Sequence, residues 1–199
     1  MTDAAAIIPT YQLLAARFDV LRDRSLFERC WLDRFAALLP PGGAVLDLGC
    51  GMAEPIAAHL IGLGFALTGV DAAPAMTALA ARRFSGQRWL TADMRGLALG
   101  QRFNGIIAWD SFFHLDADDQ RGMFAVFATH AAPGAALLFT SGTEAGTAIG
   151  ALENAPLFHA SLDPDEYRDL LARHGFAVRH HVEKDPDCGW RTVWLAQAT

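Results

Sequence analysis

Three acidic residues stand where a short apolar run gives way to a turn: Asp47 in Val45-Leu46-Asp47-Leu48-Gly49-Cys50-Gly51, Asp71 in Gly69-Val70-Asp71, and Asp93 in Thr91-Ala92-Asp93-Met94. Gly49 and Gly51 let the backbone turn tightly and let a ligand approach it closely. Asp71 follows Gly49 by 22 positions. A carboxylate at that spacing faces the crevice at a sheet edge and can accept hydrogen bonds from both hydroxyls of a ribose. Asp93 adds an acceptor at the same edge, within reach of an adenine amino group. Helix N-caps at 71 and 93 would explain two of the acids without a ligand, but not all three strand ends together. The chemistry indicated is the holding of a nucleoside.

Glu54 decides whether that nucleoside carries a phosphate. It takes the place of the third glycine of Gly-x-Gly-x-x-Gly, where a pyrophosphate would meet the first helical turn, and no Lys or Arg within the turn offsets its charge. That argues against a nicotinamide dinucleotide and for S-adenosylmethionine, which has a sulfonium and an ammonium and no phosphate. On these residues the chain resembles the class I (Rossmann-like) S-adenosylmethionine-dependent methyltransferases, from about Pro40 to the C-terminus. Residues 45–51 match the family's first motif, 69–71 its ribose acid and 92–94 its adenine-side acid. Ala53 departs from it, since many members have a third glycine there, and a local adjustment of the turn is expected. The resemblance implies S-adenosylmethionine as cofactor, bound by Asp47, Gly49, Gly51, Asp71, Met76, Asp93, Met94 and Trp109. Among these, backbone at Gly49 and Trp109 would hold the amino acid moiety, Asp71 the ribose, and Met76, Asp93 and Met94 the adenine. It also implies an α/β fold with an open, mostly parallel seven-stranded sheet in the order 3-2-1-4-5-7-6, strand 7 antiparallel.

The acceptor side is read from Trp109-Asp110-Ser111-Phe112-Phe113-His114-Leu115, which lacks the Asn-Pro-Pro-Tyr or Asp-Pro-Pro-Tyr signature of enzymes that methylate planar amides and nucleobase amines. Methyl transfer is an in-line displacement, so alignment and exclusion of water dominate. A base is needed only if the nucleophile must lose a proton. His114 is the first candidate for it and Asp110 the second. Aromatic side chains here can wall a cationic sulfonium, although at least one of Phe112 and Phe113 is expected to pack under a helix. Tyr11, Phe113, His159 and Ser161 are the candidate acceptor-binding residues. No metal site is expected: adjacent His180 and His181 on a strand point to opposite faces, and Asp116, Asp118 and Asp119 fit a helix cap with first-turn acids better than a metal site.

These residues need a frame to hold them. The chain has 199 residues, 52% hydrophobic, with a net charge of −6, which suits one domain with an ordinary core. Leu13, Leu14, Phe18, Leu21, Phe27, Trp31, Phe35 and Leu38 recur at helical spacing, predicting an N-terminal helical cap over 1–39 ahead of a Rossmann-like core over 40–199. In the core, apolar runs at 44–48, 65–70, 88–91, 105–109 and 135–140 read as strands and 54–62, 74–84 and 117–131 as helices, a βαβ pattern. Residues 141–156, rich in Gly, Ala and Thr, read as a long loop. Asp163-Pro164-Asp165-Glu166 reads as an N-cap with a capping box, and 176–182 with 190–196 as an antiparallel hairpin. The acidic balance disfavours nucleic acid, and no membrane segment or signal peptide is read. Three unpaired cysteines fit a reducing cytoplasm. The expected partner is a small-molecule acceptor, with the chain a monomer or homodimer. Two other readings stay open: a non-catalytic protein that binds the cofactor or its product, and a nicotinamide-dependent oxidoreductase.

Overall fold

A computed structural model describes residues 3–199; Met1 and Thr2, the start of the expected N-terminal cap, lie outside the described residues. After a short 3-10 turn come helices α1 (Ile7–Leu21) and α2 (Arg29–Ala36). The core then runs β1 (Ala44–Leu48), α3 (Ile56–Gly62), β2 (Ala66–Asp71), α4 (Pro74–Arg83), β3 (Arg88–Thr91), β4 (Phe103–Ala108), α5 (Ala117–His130) and β5 (Ala131–Ser141). It continues with β6 (Gly146–Leu152), β7 (Ala155–Ser161), α6 (Pro164–Arg173), β8 (Phe176–Asp185) and β9 (Arg191–Ala198).

Seven strands form one sheet in the order β3-β2-β1-β4-β5-β9-β8, with β9 antiparallel to both neighbours. With β6 and β7 set aside, this is the order the resemblance implies. Alternation along β1 explains the layers: Leu46 and Leu48 face one core with Phe124, Phe127 and Tyr167 of α5 and α6. Val45 faces the other, with Trp31, Leu32 and Phe35 of α2 and Leu60 of α3. Phe112 lies in the first core, its ring 5.4 Å from that of Phe139, so it is the aromatic of the 112–113 pair that packs inside.

Two expectations are corrected. Residues 141–156 are not a long loop: β6 and β7 pair antiparallel from Gly146↔Ser161 to Leu152↔Ala155 as a separate two-stranded sheet. Most of β6 is exposed, so its backbone pairing needs no alternating apolar pattern, and composition alone could not signal it. The capping box of α6 is half formed. Asp163 accepts from the backbone N–H of Asp165, while Glu166 is drawn away to Arg121 at 2.6 Å. Among the described residues no helix is long and apolar enough to cross a membrane.

α1 lies across the C-terminal ends of the strands. Ala15, Tyr11 and Phe18 pack on Met52, Ala73 and Met76, and Gln12 accepts from the backbone N–H of Ala75 at 2.9 Å. Arg83 of α4 binds Asp19, and Arg17 reaches Glu153 at the hairpin tip. The helix therefore touches both the strand-end turns and the hairpin.

Candidate active site

A cleft opens between α1 and the ends of β1, β2 and β4, lined by Tyr11, Asp47, Gly49, Gly51, Asp71, Met76, Asp93, Met94, Trp109, Asp110 and His114. One half is a backbone device. The turn after β1 is tied to β2 by N–H donation from Gly49 and Cys50 to the Val70 carbonyl. Gly49 adopts φ +74°, and a Cβ there would lie 2.3 Å from Cβ of Ser111, whose hydroxyl donates to the Leu48 carbonyl at 2.7 Å. Only glycine fits that approach. Asp71 accepts from the backbone N–H of Gly51 at 2.9 Å and of Ala73 at 2.8 Å, one on each oxygen. Burial raises its carboxyl above the usual range in spite of those two bonds.

Asp47 is 4% exposed, and its carboxylate has no hydrogen-bond partner among the described residues. Burial, and then the neighbouring Asp71, push it up to about 7. The third acid differs. Burial opposes ionisation of Asp93, but Arg95 outweighs it through side-chain and backbone hydrogen bonds and holds Asp93 below the usual range. Arg95 also binds Asp119 at 2.7 Å. Asp93 therefore stands on the cleft wall already engaged, with less capacity for an adenine amino group than the sequence suggested.

Glu54 also needs correcting. Its carboxylate meets Arg24 at 3.0 Å and Arg83 at 3.5 Å, cations supplied from outside the turn, so it is not the uncompensated charge that would by itself turn a phosphate away. Ala53, where many relatives of the motif have glycine, adopts φ +73°, so the turn keeps a left-handed residue and accepts the strain.

The other half is built from side chains. His114 is 7% exposed, and its Nδ1 lies 2.8 Å from the carbonyl oxygen of Phe158. A carbonyl only accepts, so Nδ1 carries the proton. Burial lowers the imidazole to about 4. Neutral His114 thus presents Nε2 as an acceptor, and the Tyr11 hydroxyl donates to it at 3.1 Å. Burial, then Asp110 and Asp71, raise the Tyr11 phenol far above its ordinary value. Asp110, at φ +47°, receives Arg191 at 2.9 Å. Trp109 is 4% exposed, and its indole N–H has no partner among the described residues.

Phe113, His159 and Ser161 do not line this cleft. They line an adjoining cavity under the β6–β7 hairpin, and the His114 ring of the cleft lies 5.0 Å from Phe113 and 4.9 Å from His159. Ser161 is already engaged, its oxygen accepting from the Gly142 N–H at 2.6 Å. His181 stacks on Trp194 instead of reaching toward His180, and among the described residues no three His, Cys, Asp or Glu side chains are placed to hold a metal ion.

A family model described as a methyltransferase domain matches residues 21–181. The chain belongs to this methyltransferase family. It is 33% identical over 110 residues to YqeM of Bacillus subtilis (strain 168), a protein provisionally named a methyltransferase, and the match spans 53% of this chain and 44% of that relative's length. Its fold is that of the class I S-adenosylmethionine-dependent methyltransferases. The amino pentose methyltransferase CalS10 of Micromonospora echinaspora, with S-adenosylmethionine bound, superposes with TM-score 0.72 at 21% identity over 93% of this chain and 95% of its own. The 1,6-didemethyltoxoflavin-N1-methyltransferase of Burkholderia thailandensis gives 0.76 at 21% identity over 98% and 88%.

In this methyltransferase, sequence reasoning missed two residues of the cleft's surroundings. Arg22, which caps α1 and lines the cleft, pairs with Glu28, a fully buried carboxylate whose second oxygen has no partner among the described residues. Arg191 reaches Asp110 across 81 positions. Nothing in spacing announces either one. The only signal was that arginines rather than lysines fill the cationic positions, which suits bidentate pairing.

Proposed function

We propose that this methyltransferase binds S-adenosylmethionine in the cleft and methylates a small molecule whose body occupies the adjoining cavity lined by Phe113 and His159. The observation that carries this reading is the Tyr11–His114 pair on the cleft wall, whose imidazole packs against Phe113 and His159 of the second cavity. The residues present suit the cofactor. Asp47 is a buried carboxylate lacking a partner, which an ammonium would supply. The oxygens of Asp71 keep lone pairs for ribose hydroxyls. A dinucleotide is disfavoured for a different reason from the one in the sequence: both arginines lining the cleft, Arg22 and Arg95, are already paired with carboxylates, so neither is free to meet a pyrophosphate.

When bound, the cofactor supplies a methyl carbon already activated by its sulfonium. The protein then has to align a nucleophile and keep water out. Roof helix α1 serves the second task. His114, expected as a general base, serves here as a positioning residue: its one free acceptor is taken by the hydroxyl of Tyr11, which it orients.

Thermal shift with S-adenosylmethionine, S-adenosylhomocysteine and NADH tests the reading, since a ligand at about 100 times its Kd stabilises by about 2.7 kcal/mol. Stabilisation by the first two alone is expected, followed by product release with small acceptors. A shift with NADH alone would replace the reading with an oxidoreductase, and binding without any turnover would replace it with a non-catalytic binder. Asp71→Ala should weaken S-adenosylmethionine by about 1–3 kcal/mol in calorimetry; unchanged affinity removes Asp71 from the site.

A further inference from the structure

We infer that the atom methylated is an uncharged amine nitrogen, received by the Tyr11 oxygen and faced by the Asp110 carboxylate; this rests on the reading above. The direction of one hydrogen-bond chain carries the argument. Phe158 can only accept, so His114 donates from Nδ1 and accepts at Nε2, and Tyr11 must donate to it. The Tyr11 oxygen is left with lone pairs and no proton to give. What it offers an incoming group is an acceptor for N–H or O–H.

The chain also ends without a proton sink. Its last member is a backbone carbonyl, and moving a proton onto His114 would place a cation in a buried site where burial already holds the imidazole neutral. With His114 closed to a proton and the Asp110 carboxylate already paired with Arg191 at 2.9 Å, the nucleophile attacks before it loses a proton. Alcohols and phenols are poor nucleophiles in that state, whereas an uncharged amine attacks with its lone pair. The nitrogen's electron pair forms the N–C bond, the S–C bond breaks with its pair going to sulfur, and the positive charge passes from sulfur to nitrogen. The methylammonium then sheds one proton to solvent.

Electrostatics point the same way. Tyr11 is itself a phenol held at this spot, and burial together with Asp110 and Asp71 works against its ionisation. A bound phenolate or carboxylate would meet the same opposition. A cation formed there meets the Asp110 carboxylate, shared with Arg191, in a cleft also lined by the aromatic residues Tyr11 and Trp109.

Three probes of one shape test this with S-adenosylhomocysteine bound: choline, 3,3-dimethylbutan-1-ol and 3,3-dimethylbutanoate, which differ in charge. By calorimetry or NMR titration choline is expected to bind at least tenfold more tightly than the neutral alcohol, with the carboxylate weakest. Asp110→Asn should cut the preference for choline several-fold. Equal binding of the three, tightest binding by the carboxylate, or binding of none overturns the amine assignment and leaves the cofactor reading standing. Failure of S-adenosylhomocysteine itself to bind sinks the cofactor reading instead.

Discussion

The two halves of the cleft are held by different forces. At the ends of β1 and β2 the framework is backbone: Gly49, Cys50, Gly51 and Ala73 donate N–H groups to the Val70 carbonyl and the Asp71 carboxylate, all within 25 positions of one another. Around Tyr11 and His114 it is side chains from distant segments, Tyr11 to His114 across 103 positions, Arg17 to Glu153 across 136 and Asp110 to Arg191 across 81. Backbone bonds fix a shape that most side-chain changes leave intact. Side-chain contacts between distant segments make a surface that one substitution can remodel.

The contrast can be broken most severely at Gly49. Gly49→Ala adds a Cβ 2.3 Å from Ser111 at a left-handed backbone position, and should cost about 3 kcal/mol or more in urea unfolding together with cofactor binding. An equal-sized loss from Tyr11→Phe would erase the distinction between the halves. Asp47 comes next. Its carboxyl titrates at about 7 in the fold and near 4 when unfolded, so the fold holds the proton more tightly; that advantage is complete below about pH 4 and is lost as pH rises through 7. Asp47→Asn removes the buried charge and should stabilise the ligand-free protein above pH 7 by up to about 4 kcal/mol, with no gain at pH 4, while weakening the cofactor. Denaturation at the two pH values checks both signs. Ala53→Gly is the smallest: releasing φ +73° is worth about 1 kcal/mol, less the packing of a buried methyl. No gain in Tm would mean that the methyl packing offsets the strain.

The same contrast explains what could be read in advance. Asp47, Gly49, Gly51 and Asp71 lie in one βαβ unit whose spacing is set by strand and turn geometry, so the motif was legible in residue order, and the resemblance it carried implied the sheet order. Glu54 was misjudged because its partners Arg24 and Arg83 come from α4 and the segment after α1, and Asp93 because Arg95 engages it locally. His114 was recognised as important, but its role depends on which ring nitrogen meets the Phe158 carbonyl, which only the folded chain decides. The hairpin stayed hidden because exposed strands that pair with each other need no apolar alternation.

That hairpin has a practical consequence. β6 and β7 pair with each other and with no strand of the main sheet, and their residues wall the cavity beyond His114. Substitutions at Thr147 or Ala148 therefore leave the seven-stranded register, the glycine turn and the carboxylates untouched. A directed search for new acceptors has a natural library here, one short ribbon that can be diversified with the reagent-binding half of the protein held constant.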